Sequence, residues 1–230
     1  MKTILTTYFL FLFLIIKAQI PDSSFQEISK EIKWTSLLDH PVTSIADGNY
    51  KDSKYSNRIY FLSVKDGLIH GQLICKGSTG ILIEITNYFE GEKNGKSEHF
   101  INGKLSKLDY YQFGNSFEET FFYSSGKVKK RYLVLNQIYY ISEYYENGFL
   151  KSFGASSLNG KTGFWTFRNE NGFKLSEGEY QDGKKEGSWN FFNLKGRVIK
   201  IEKYINGKLT DSQEWEYIYE GNKIIQINKK

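Results

Sequence analysis

The chain has 230 residues, with 31 Lys+Arg against 26 Asp+Glu, 40% hydrophobic residues and 17% aromatic ones. That apolar content excludes a disordered chain, and the small, evenly spread positive balance excludes the basic surface of a nucleic-acid binder. The 21 glycines, two prolines and single cysteine point to many short strands joined by turns, without an intramolecular disulfide.

The first 18 residues have the layout of a secretory signal peptide. Lys2 supplies the positive start, Tyr8–Ile16 an unbroken apolar run too short to span a bilayer comfortably, and Ala18 a small residue for cleavage. Ile16 is large for its place before the cleavage site, and an uncleaved leader would act as a membrane anchor, the one membrane association expected. Removing Lys2 and Lys17 leaves 29 basic residues, 31 − 2, against 26 acidic ones. The expected location is outside the cytoplasm: periplasm, cell surface or medium. No cysteine stands at the cleavage site for lipid attachment. Cys75 lies in an apolar Leu-Ile-Cys run and is expected to be a buried, inert thiol.

Residues 19–56 show no repeat and are expected to cap the fold at its N-terminal edge. Ser24 and Glu27 have capping-box spacing, and Phe25, Ile28 and Ile32 follow at helical spacing. The pattern predicts a short amphipathic helix over 24–38, stopped by His40-Pro41.

From residue 57 to the end the chain repeats. A glycine after a polar turn recurs at Gly80, Gly103, Gly126, Gly148, Gly172 and Gly196, spaced by 23, 23, 22, 24 and 24. A tyrosine follows eight residues later at Tyr88, Tyr111, Tyr180 and Tyr204, and a second glycine three residues after that at Gly91, Gly114, Gly183 and Gly207. A fixed period of this size signals a repeat architecture. Asn-Gly and Asp-Gly pairs at the turns are strong hairpin signals. Each unit has room for two strands and two turns, so the fold class expected is all-β: consecutive hairpins in an elongated, twisted antiparallel meander. The strand before each anchor glycine alternates, which puts Trp165 with Phe167, Trp189 with Phe191, and Trp215 with Tyr217 on one face. The strand after it is less regular. Leu82–Ile85 and Val198–Ile201 carry apolar residues on both faces, which a bulge or two-sided burial would explain.

The best-kept units span 163–210. Gly163, Trp165, Phe167, Gly172, Glu177-Gly178, Tyr180, Asp182-Gly183-Lys184 and Gly187 together resemble the MORN repeat in its bacterial variant form. The next unit keeps Trp189, Phe191, Gly196, Tyr204 and Asn206-Gly207-Lys208 but has Glu202 in place of the inner glycine. The resemblance implies strings of β-hairpins in an extended sheet. It also brings an antitoxin-like label for bacterial members, and links to membranes, scaffolding and protein contacts for eukaryotic ones.

Chemistry-bearing constellations are few. His40, His70 and His99 are scattered without metal-ligand spacing, and Gly77-Ser78-Thr79-Gly80 has no nucleophile-elbow pattern. Glu90, Glu92, Glu118, Glu119 and Glu146 could supply a carboxylate pair for glycan hydrolysis, but any Glu-rich sheet offers such pairs, and the reading preferred for them is solvated strand faces or cross-strand partners of the many lysines. The sequence therefore predicts no catalytic, metal or cofactor residues. Trp165, Phe167, Trp189, Phe191, Trp215 and Tyr217 are the candidate binding aromatics, forming either an exposed platform for sugars or peptides or a ladder joining successive hairpins. The expected function is a non-catalytic exported scaffold whose partner is another protein. The alternatives are a toxin-neutralising partner and an envelope protein that binds or acts on glycans.

Overall fold

A computed structural model describes residues 26–27, 48–52, 57–221 and 223–229. Its strands are β1 (Gln26–Glu27), β2 (Gly48–Asp52), β3 (Arg58–Lys65), β4 (Leu68–Ile69), β5 (Gly71–Gly77), β6 (Leu82–Phe89), β7 (Glu92–Ile101), β8 (Lys104–Gln112) and β9 (Asn115–Phe122). They continue as β10 (Val128–Leu135), β11 (Ile138–Tyr144), β12 (Leu150–Ser157), β13 (Gly160–Arg168), β14 (Lys174–Gln181), β15 (Lys184–Phe192), β16 (Val198–Ile205), β17 (Lys208–Glu220) and β18 (Lys223–Lys229). The architecture is all-β. Sixteen consecutive strands, β2, β3 and β5 to β18, pair antiparallel in one open meander, with β4 completing the first hairpin of the array. Of the helix expected over 24–38, Gln26 and Glu27 are instead extended. They pair parallel with Tyr50 and Lys51, where the free edge of β2 offers backbone partners. The rest of that segment, and the leader, lie outside the described residues.

Two kinds of turn alternate along the array. At one end, two-residue turns such as Glu90-Gly91, Asp182-Gly183 and Asn206-Gly207 have both residues at positive φ, the geometry that matches strand twist. Successive turns there are tied by backbone bonds. Gly91, Gly114, Gly183 and Gly207 donate at 2.9 Å to the carbonyls of Ile69, Lys93, Lys161 and Lys185 in the preceding hairpin. At the other end, Gly80, Gly126, Gly148, Gly172 and Gly196 close four-residue turns by donating to the carbonyl three residues back, while Gly103 sits in a two-residue turn with Asn102.

Gly172 and Gly196 have φ of 82° and 75°. Valine at Gly196 meets open space and should cost only the strain of that backbone, ~1–2 kcal/mol. At Gly172 a Cβ would also stand 3.0 Å from the Phe149 ring, so Gly172→Val should cost more than Gly196→Val in urea denaturation.

The apolar residues on both faces after the anchor glycine have a local cause. Cys75 pairs with Glu84 but Lys76 with Leu82, and Phe191 pairs with Lys200 but Phe192 with Val198. One residue, Ile83 or Ile199, is thus extra on its strand, forming a bulge that breaks the alternation. The buried apolar core, Leu62, Val64, Ile69, Leu73, Cys75 and Tyr88, lies in the first strands of the array. Cys75 is a buried thiol, raised above its ordinary pKa by burial.

Candidate functional site: two faces of one sheet

Directly paired residues define a front face. In its middle, Lys107, Phe121, Lys130, Glu143, Ser152 and Phe167 are successive neighbours, and the row runs on through Ser176, Phe191 and Lys200 to Glu214. A second kind of bulge sets what this face buries. Between the pairs Glu177–Asn190 and Glu179–Glu186, β15 advances four residues against two on β14. The same two-residue excess occurs in β13 against β12 and in β7 against β6. The first hairpin shows it too, between the pairs Val64–Ile69 and Phe61–Ile74. Each excess contains a glycine at positive φ: Gly187, Gly163, Gly95 and Gly71. Two residues after each stand Trp189, Trp165, Ser97 and Leu73, all buried on the front.

The tryptophans are the largest of these. Trp165 and Trp189 are 2% and 1% exposed. Each ring lies against a glycine of the preceding strand, Gly154 or Gly178, and its Nε1 donates to the next carbonyl, Ala155 at 2.8 Å or Glu179 at 3.0 Å. Tyr180 stands edge-on to both rings, at 6.2 Å and 5.0 Å, and Phe167 bridges them at 5.9 Å and 6.1 Å. Trp165, Phe167, Tyr180 and Trp189 therefore form an internal ladder between hairpins, with the tryptophans sealed from solvent, and Phe191 lies on the same front row.

Trp215 and Tyr217 do not join them. Residue 211, where Gly163 and Gly187 predict a glycine one period on, is Asp211, and it is not at positive φ. The bulge in β17 then has one extra residue, between the pairs Lys203–Asp211 and Tyr204–Leu209. Losing one residue flips the alternation. Glu214 takes the front position opposite Lys200, and Trp215 and Tyr217 turn to the back, paired with Lys229 and Ile227. The common face expected for all six aromatics is thus broken by one missing bulge residue.

Lysines lie over the front ladder. Lys161 Nζ is 4.3, 4.9 and 5.1 Å from the ring centres of Trp165, Phe167 and Tyr180. One unit on, Lys185 Nζ is 4.4, 5.2 and 4.6 Å from Trp189, Phe191 and Tyr204. Burial lowers the pKa of both ammonium groups, while the ring faces attract them. Glu202, at the position of Gly178, meets Lys200 at 2.6 Å and accepts from Tyr204 Oη at 2.6 Å. Burial first, and this carboxylate second, push the Tyr204 phenol up to about 12.

Where Trp165 and Trp189 stand in later units, the earlier one has Ser97, and a polar chain replaces the aromatic ladder. Thr86 Oγ1 donates to Glu84 Oε1 at 2.6 Å, so at its 2.6 Å contact with Ser97 it accepts. The Ser97 proton therefore points at Thr86, away from His99 Nε2 at 3.3 Å. The same Nε2 lies 3.0 Å from Asp109 Oδ2, and Lys107 Nζ is 2.9 Å from Oδ1. A Ser–His–Asp relay uses the two ring nitrogens of histidine separately and a serine proton aimed at the ring. Here one nitrogen serves both partners and Ser97 is fully buried, so this geometry is structural. Read singly, as one of three scattered histidines without metal-ligand spacing, His99 gave no sign of this network. Its sequence signal is alternation, with Ser97 and His99 two apart on one strand and Lys107 and Asp109 two apart on the next.

The back face is different. Leu133 pairs with Tyr140, Tyr140 with Ala155, and Phe153 with Thr166, two residues from Phe164. Leu133, Tyr140, Phe153 and Phe164 are 44, 39, 46 and 54% exposed. Together they form an apolar cluster across β10 to β13, bordered by Glu118, opposite Leu133, and Glu179, opposite Phe164. Two open grooves, of about 370 and 320 Å³, lie at the four-residue-turn end around Lys104, Leu105, Phe122 and Ser124, and no carboxylate lines them. Among the described residues there is no group of three or more histidine, cysteine or acidic side chains placed to hold a metal. No protein-family model matches the chain, and no curated protein matches it either.

Proposed function

We propose that this chain is a non-catalytic scaffold, exported by its leader, that binds another protein through the back face of β10 to β13. The observation that carries the reading is the exposed cluster of Leu133, Tyr140, Phe153 and Phe164 with its charged border. Contiguous exposed apolar side chains rimmed by polar ones mark interaction surfaces, whereas single exposed ones need no explanation. Leu133, Tyr140 and Phe153 also fall in the units that begin at Gly126 and Gly148, ahead of the best-kept span 163–210, and Phe164 occupies a position that the next unit fills with Ser188. Residues common to every unit hold the array together, so a surface peculiar to two units is where a specific contact would be built. The MORN-like resemblance, with its association with protein contacts, agrees with this reading.

The test is a cross-linking pull-down from the cells that make the chain, comparing wild type with Phe153→Glu/Phe164→Glu. Both side chains are exposed, so the double variant should keep its thermal transition while losing the partner recovered by the wild type. Equal recovery of the same partner by both proteins would overturn the assignment of this face.

A further inference from the structure

The last described strand presents an outer edge of unusual charge. Among the described residues β18 pairs only with β17, so no described strand lies beside its outer backbone groups. Residues 223–230 carry Lys223, Lys229 and Lys230 and no acidic residue. Ile225 and Ile227 are more than half exposed along the same strand. On its inner edge β18 already holds a strand of opposite character. β17 alternates Glu214, Trp215, Glu216 and Tyr217, with Glu216 beside Asn228, Tyr217 beside Ile227 and Glu220 beside Lys223. The outer edge exposes the same two rows of side chains, because side-chain alternation belongs to the strand and not to one of its edges.

We infer that the outer edge of β18 is a strand-addition site for an extended acidic segment of another protein, one that alternates Asp or Glu, on the face that carries Lys223, with apolar residues on the face of Ile224. Backbone pairing supplies affinity in such additions and the alternate side chains supply selectivity. A second copy of this chain is the wrong occupant. The antiparallel self-pairing that matches Ile225 to Ile227 also sets Lys223 opposite Lys229 at both ends, and like charges directly opposed are destabilising. The lysines thus reject the chain's own edge and attract an acidic one. This site does not depend on the back-face cluster of β10 to β13, which lies several strands away.

The probe is a short fluorescein-labelled peptide of alternating valine and glutamate, titrated with the full chain and read by fluorescence anisotropy. Saturable binding is expected, absent for the matching valine–lysine peptide and about tenfold or more weaker for Lys223→Glu/Lys229→Glu, since the border charges are reversed. Phe153→Glu/Phe164→Glu should bind the peptide as the wild type does, which separates this site from the other surface. Absence of binding, equal binding of the lysine peptide, or unchanged affinity in the reversed-charge variant would each overturn the inference. So would sedimentation showing a dimer that Ile225→Lys/Ile227→Lys dissolves, because the edge would then belong to a second copy.

Discussion

Gly178→Ala should destabilise the array by ~3 kcal/mol, at the upper end of what overpacking costs, although it adds only one methyl group. A Cβ at that position would stand 2.5 Å from Cδ2 and Cε2 of Trp189. The ring cannot swing aside freely. Its Nε1 is bound to the Glu179 carbonyl, Tyr180 stands against it at 5.0 Å, and Lys185 lies over it. Trp189→Ala removes a side chain that is 1% exposed and should cost ~3–5 kcal/mol. The double variant separates clash from mere loss of a glycine. Without the indole, an alanine at 178 has room in a strand where φ is not positive, so the pair should cost no more than Trp189→Ala alone. Urea denaturation followed by circular dichroism gives all three values. Additive losses would show that Gly178 matters for some reason other than the ring that covers it. Gly154 and Trp165 should behave as the same cycle one unit earlier, because the Trp165 ring covers Gly154 in the same way.

That cycle also shows what the sequence made legible. Period, turn chemistry and strand alternation were enough for the meander and for placing Trp165 and Trp189 on one face, since all three are local signals. Which way Trp215 points was not local. It depends on whether the β17 bulge has one extra residue or two, and the only sign is Asp211 where Gly163 and Gly187 have their counterpart. A glycine four residues after a turn glycine, as in Gly67 and Gly71, Gly91 and Gly95, and Gly183 and Gly187, is the readable mark of the wider bulge and of a buried residue two places on. The candidate surface was less legible. Leu133, Tyr140, Phe153 and Phe164 come from four strands, and their meeting on the back follows from a register that no single strand reveals. The buried polar chain was hidden for the same reason, since the contacts that carry it from strand to strand join residues ten or more apart, Thr86 with Ser97 and His99 with Asp109.

Asp109→Ala should cost ~2–4 kcal/mol, and Asp109→Asn somewhat less. The carboxylate is fully buried on the front face, with His99 Nε2 at 3.0 Å and Lys107 at 2.9 Å. Removing one member of a buried pair leaves the other desolvated and uncompensated, which costs ~3–5 kcal/mol when burial is complete. Lys107 keeps Glu119 at 3.4 Å and a partly exposed ammonium, which lowers the figure. The effect should also depend on pH with a definite sign. Burial alone would raise the Asp109 carboxyl, but the His99 bond and the Lys107 charge outweigh it and hold the pKa below the ordinary value. A folded-state pKa below the unfolded one contributes stability that is complete above the unfolded value, about 3.9, and is lost as pH falls through the folded value. The wild type should therefore lose stability more steeply than Asp109→Asn on acidification below about pH 4, and the two curves should run parallel above it. Melting temperatures measured between pH 7 and pH 2 decide the matter. Curves that stay parallel across the acid range would mean that the Asp109 carboxylate gains nothing from His99 and Lys107.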